Sequence, residues 1–146
     1  MKIAFLGPGW PWRGGIAQFL TLMAEQVEVE HQVKIFSFIK QYPKLIFPGK
    51  DQINRSKNKS NLPTESVLIP YNPFTWEKTE KKIRDWQPDI LVVKYWIPFF
   101  APAFGYIIRK YKKQSCGKVV YVIHNITFHE KWAFADKLSR YALGKA

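Results

Sequence analysis

The chain has 146 residues, 47% of them hydrophobic and 16% aromatic, and a formal net charge of +12 at pH 7. That length suits one ordinary domain, and the apolar content is ample for a packed core, which excludes a disordered chain. So basic a domain is drawn to polyanions (phosphates, nucleic acid or an anionic membrane face), and charge alone does not choose among them.

In chain order, Lys2 to Leu6 reads as a short buried strand, Gly7 to Gly15 as a loop, and Ile16 onward as a helix. Ile16, Phe19, Leu20, Met23 and Val27 recur at three- and four-residue spacing there, one apolar stripe. Residues 31–38 (HQVKIFSF) form a second strand. A long polar stretch over 39–66 follows, and between Lys34 and Lys59 there are seven basic residues against one acid, Asp51. Such a loop in a compact domain is usually functional or mobile. A third strand is expected over 67–69 and a helix over 74–86, with Trp76, Ile83 and Trp86 on one side. PDILVVKYW (88–96) is a continuous apolar strand, as in a parallel sheet covered on both faces. A helix carrying Phe100, Phe104, Ile107 and Tyr111 comes next, then a strand over 118–125 (KVVYVIHN) and the start of a further helix with Leu138 and Ala142 one turn apart. Strands alternating with helices argue for a mostly parallel α/β sheet.

The longest uncharged apolar stretch, YWIPFFAPAFGYII, falls short of the roughly 20 residues a membrane span needs and contains two prolines and a glycine. The apolar run after Lys2 ends at Leu6, too short for the core of a secretory leader. Cys116 is the single cysteine, so there is no internal disulfide. A cytoplasmic location is expected, with peripheral contact at the inner face of the membrane.

The first strand-to-helix turn is the place for a phosphate-binding loop, and the familiar patterns fail there. GPGWPW puts Trp12 where the dinucleotide fingerprint needs its third glycine, and the second strand ends Phe36-Ser37-Phe38 without a ribose-binding carboxylate. No Gly-Lys-Ser/Thr of a P-loop occurs. What remains is Arg13-Gly14-Gly15 directly before a helix. Free amides and the positive helix end suit an anion, and bare backbone lets a phosphate come close. Two glycines also serve simply to make a tight turn.

The combination GPGWPWRGGIAQF (7–19), QYPKLIFPG (41–49), PDILVVKYW (88–96) and HNITFHE (124–130) resembles the N-terminal domain of retaining family 4 glycosyltransferases of GT-B fold, in the bacterial branch with RGGIA and HN..HE blocks. The resemblance covers essentially the whole chain, and it is the order of the blocks that makes it specific. It implies a Rossmann-like three-layer domain over residues 1–146, the acceptor-side half of an enzyme whose donor-binding C-terminal domain is absent here; the chain alone is expected to be inactive. It further implies that Gly14 and Gly15 lie near the donor diphosphate and His124 near the transferred sugar, as the catalytic residue. No metal or resident cofactor is implied, the nucleotide sugar being a co-substrate, because amides and basic side chains meet the leaving charge. The expected partners are the nucleotide sugar, a cell-envelope glycan or lipid-linked acceptor, an anionic membrane surface and the missing domain, but no nucleic acid.

The other candidates have plain alternatives. His124, at the carboxyl end of a buried strand, is placed to bond a sugar hydroxyl, or else a neighbouring loop. His129 and Glu130 join it on a non-helical stretch with spacing that fits zinc poorly, so Glu130 is expected to orient a histidine or the loop. Tyr95 and Trp96 are expected to line the acceptor cleft with Arg13, His129 and Glu130, core packing being the alternative for the aromatics. Trp10 and Trp12 flank Pro11 in the first loop, as cleft or core groups. The order WIPFFAPAFGYIIRKYKK, aromatic then basic (Arg109, Lys110, Lys112, Lys113), suits a surface lying on an anionic leaflet, as do Lys40, Lys44, Lys50, Arg55, Lys57 and Lys59. The same charge fits a solvated face. The rival function is a basic module that binds nucleic acid or a membrane surface without catalysis; no zinc spacing, KH loop or RNP pattern supports a nucleic-acid reader.

Overall fold

Five short runs rich in Val, Ile, Phe and Leu form strands, as side chains that fit a pleated, buried surface favour. They are β1 (Lys2–Leu6), β2 (Gln32–Phe38), β3 (Thr64–Leu68), β4 (Ile90–Tyr95) and β5 (Lys118–Ile123). The computed structural model describes residues 1–45, 53, 60–124 and 134–144. The strands form one sheet in the order β3-β2-β1-β4-β5, with every pair parallel. Ala4 stands between Lys34 of β2 and Leu91 of β4, which fixes the central register.

The helices are α1 (Gly15–Glu28), α2 (Pro73–Trp86), α3 (Ala101–Gln114) and α4 (Ala135–Leu143), with a 3-10 turn over Pro98–Phe100 before α3. Period-two alternation along each strand sends side chains to two separate cores. Ala4, Leu6, Phe36, Phe38, Leu91, Val93 and Tyr95 face α2, α3 and α4. Ile3, Phe5, Val33 and Ile35 face the other way, against Leu20 and Ala24 of α1. Helices on both sides of a parallel sheet make this an α/β, Rossmann-like three-layer fold, as expected from the alternation of patterns.

Local chemistry sets the ends of the elements. Asn72 caps α2, its side chain accepting from Phe74 N–H at 3.2 Å with Pro73 in the first turn, and Gln87 ends the helix in the left-handed region. β3 begins at Thr64 rather than Val67: Thr64, Glu65 and Ser66 pair with Ile35, Phe36 and Ser37. An edge strand with a solvated side needs no apolar run, so the hydrophobic pattern under-reads it.

The aromatic-then-basic segment departs from expectation. Phe100, Phe104, Ile107, Ile108 and Tyr111 are fully buried against the sheet, so these rings are core and form no membrane-facing surface. Of the basic groups after them, Arg109 lies 3.6 Å over the Tyr141 ring and Lys110 pairs with Glu77. Lys50, Arg55, Lys57 and Lys59 of the basic loop lie outside the described residues. Among the described residues, no helix is long and apolar enough to cross a membrane.

Candidate functional site

From β1 the chain runs outward through α1 to β2 on one side, while β4 and β5 lie on the other. Open α/β sheets hold ligands in the crevice outside the carboxyl ends of the strands at such a reversal. The residues there are the loop from Gly7 to Gly14, the first turns of α1, Lys94 near the end of β4, and His124 just past β5.

The loop is pinned by its neighbours. Gly7 N–H donates to the Phe36 carbonyl at 3.1 Å, Gly9 N–H to Ser37 Oγ at 3.3 Å and Trp10 N–H to Thr21 Oγ1 at 3.2 Å. Trp12 Nε1 donates to the Phe38 carbonyl at 3.2 Å, and its ring meets Phe38 edge-on at 6.4 Å. Trp12 is therefore a partly buried clamp between loop and sheet. Further along, the chain has fewer ties. Arg13, Gly14 and Gly15 are all exposed. No side chain caps α1 among the described residues, and its first turn carries no acid. The earliest helical bond runs from Gln18 N–H to the Gly14 carbonyl at 3.0 Å, which leaves the first-turn amides without an intrahelical acceptor.

The two glycines differ. Gly14 has φ 114° and ψ 163°, a conformation essentially restricted to glycine, so the turn itself demands it. Gly15 is the first helical residue, has no positive φ, and leaves open space where a Cβ would stand. Nothing in the fold requires glycine there.

The feature the sequence reading passed over is Lys94. It is completely buried, on the α1 side of β4, where alternation sets it opposite Tyr95. Its Nζ lies 2.9 Å from His124 Nδ1 and 4.0 Å from the centroid of the Phe19 ring. The rings of Phe19 and His124 are themselves 5.3 Å apart. No described carboxylate forms an ion pair with Lys94. Burial pushes its amine below the usual lysine range. A buried cation without an anion is costly, and here a π face and an imidazole lone pair stand in for water. The signal was present in PDILVVKYW, as the one basic residue inside a strand run expected to be covered on both faces.

His124 is exposed, and Phe19 sits four residues after Gly15, about 6 Å along the helix axis. His124, Lys94 and the first turns of α1 therefore lie together at the carboxyl ends of the strands. Tyr95 and Trp96 do not line it: they are 1% and 5% exposed. Tyr95 Oη is 3.0 Å from Ser139 Oγ of α4, and the Trp96 ring packs 4.2 Å from that of Phe100. Alternation directs Tyr95 into the helical core and the aromatic cluster around Phe100 absorbs Trp96, so the packing alternative holds for both. His129 and Glu130 lie outside the described residues. Among the described residues no cluster of His, Cys, Asp and Glu could hold a metal ion.

No protein-family model matches this chain, and no curated protein matches it either.

Proposed function

We propose that this chain is the acceptor-side, N-terminal part of a retaining glycosyltransferase that moves a sugar from a nucleotide-sugar donor to a cell-envelope glycan or lipid-linked acceptor. The observation that carries the reading is the crevice pair: exposed His124 backed by buried Lys94, which no described carboxylate neutralises, beside a helix start that a side chain-free Gly15 leaves bare. On this reading the α1 amides at Gly14 and Gly15 meet the donor diphosphate and Lys94 adds positive charge beneath it, which is electrostatic stabilisation of a leaving group. His124 meets the transferred sugar, and exposed Arg13 faces the acceptor. The net charge of +12 favours work at an anionic membrane face. The sequence blocks of the glycosyltransferase resemblance supply the reaction class.

The test is donor-dependent sugar transfer by the full-length gene product, assayed with a panel of labelled nucleotide sugars and extracted lipid-linked acceptors, with His124→Ala alongside. Transfer that falls about tenfold or more in the variant, the worth of one hydrogen bond to a charged group, supports the reading. No transfer and no nucleotide-sugar binding, together with DNA or RNA binding that survives excess anionic competitor, would replace it with a nucleic-acid-binding module.

A further inference from the structure

His124 has two ring nitrogens with different neighbours. Nδ1 lies 2.9 Å from Lys94 Nζ, while Nε2 makes no hydrogen bond to a described residue and belongs to an exposed side chain. An ammonium has three donors and no acceptor, so a neutral imidazole at this distance must offer it a lone pair at Nδ1. The ring hydrogen then sits on Nε2. The Phe19 ring, 4.0 Å from Nζ, favours the charged form of the lysine because its π face attracts a cation, which offsets part of what burial costs it. The close packing of the lysine stem against Gly7 holds it in place: a Cβ on Gly7 would lie 2.9 Å from Lys94 Cβ.

We propose that Lys94 is a positioning residue that holds His124 in the Nε2–H tautomer, so that the imidazole meets a ligand in the crevice as a hydrogen-bond donor and not as a proton acceptor. The ligand atom it selects is an oxygen with a free lone pair, a sugar hydroxyl or a phosphate oxygen. A ligand that needs a base at this point finds none in His124. The identity of that ligand rests on the glycosyltransferase reading, whereas the tautomer is a property of this chain alone.

The experiment is long-range proton–nitrogen NMR of the histidine rings in the full chain near neutral pH, for the wild type, Lys94→Met and Lys94→Arg. The expected wild-type spectrum has His124 Nδ1 as the unprotonated, pyridine-like nitrogen, with no Nδ1–H fraction. In Lys94→Met the two nitrogen shifts move towards each other as the second tautomer becomes populated. Lys94→Arg, whose side chain also only donates, keeps the wild-type pattern. A wild-type spectrum with an Nδ1–H fraction equal to that of Lys94→Met overturns the assignment. If Lys94→Met does not fold, the wild type decides by the coupling between the Lys94 ammonium and His124 Nδ1 across the hydrogen bond; its absence overturns the assignment as well. A failed sugar-transfer assay beside an intact Nε2–H signature would remove the function proposed above and leave this assignment standing.

Discussion

Gly7 and Lys94 touch across the β1–β4 seam: a Cβ on Gly7 would lie 2.9 Å from Lys94 Cβ and 2.7 Å from Leu20 Cδ1. The loop after β1 thus runs directly against the stem of the buried lysine, and α1 closes over both. Glycine here serves the site by keeping strand end, lysine and helix within contact.

Gly7→Ala is expected to destabilise the chain by about 1–3 kcal/mol, the usual cost of forcing a methyl into a packed interior. Urea unfolding measures the loss. The strain should reach the crevice too, seen as a shift of the His124 ring signals. Unchanged stability would mean that α1 can move away freely.

The two glycines of the turn should separate fold from ligand. Gly14→Ala places a side chain at φ 114° and should cost about 1–3 kcal/mol of strain although the space is open. Gly15→Ala should be neutral or stabilising by up to about 1 kcal/mol, since alanine is the better helix former. If bare backbone at Gly15 serves an incoming phosphate, this stable variant binds nucleoside diphosphate more weakly in the full-length protein, a difference titration calorimetry would register.

The stability of the chain should depend on Lys94 with a definite sign. Its folded-state pKa lies below the ordinary 10.5, so between the two values the unfolded chain binds more protons and stability rises with pH. The contribution is at most about 1.4 kcal/mol per pH unit, one proton's worth. Lys94→Met removes the buried charge and is expected to be more stable near neutral pH by about 1 kcal/mol or more. The gap between the two proteins should narrow as pH rises above the folded-state pKa of Lys94 towards 10. Measurement must stay below pH 10, because burial holds Tyr95, Tyr111 and Tyr121 above the ordinary tyrosine value of 10.0. Above that value the unfolded tyrosines lose protons first, and stability falls.

α4 docks on the helical face through Leu138, Ala142 and Leu143, with polar and close backbone contacts around them. Tyr121 Oη donates to the Ala142 carbonyl at 2.7 Å, and a Cβ on Gly105 of α3 would overlap the Tyr141 ring. Gly105→Ala should displace α4 and break the stacking of Arg109 on Tyr141, even though alanine favours α3 itself. Amide exchange restricted to α4 should quicken while the sheet stays protected.

The elements were legible because their causes are local. The stripe from Ile16 to Val27 and the continuous run in PDILVVKYW carry their periodicity in neighbouring residues, and the alternation of strands and helices argues for a parallel sheet. His124 could be placed at a strand end for the same reason. β3 was under-read because an edge strand needs no apolar pattern, and the aromatic-basic run of α3 was misread because composition does not say which way a ring points.

The tertiary structure decided what depends on contacts distant in sequence. The order β3-β2-β1-β4-β5 brings the ends of β4 and β5 beside α1, so that Lys94 meets His124 across 30 residues and both meet Phe19. Strand alternation divided KYW: the lysine turned towards α1 and the crevice, while Tyr95 went to the core with Trp96. Backbone dihedrals, set by how the loop must cross β2 to enter α1, made Gly14 a need of the turn and left Gly15 without one. Periodicity is written into each segment by its own residues, but the face a side chain shares with another segment is fixed only when the segments pack, and the candidate site is made of such shared faces.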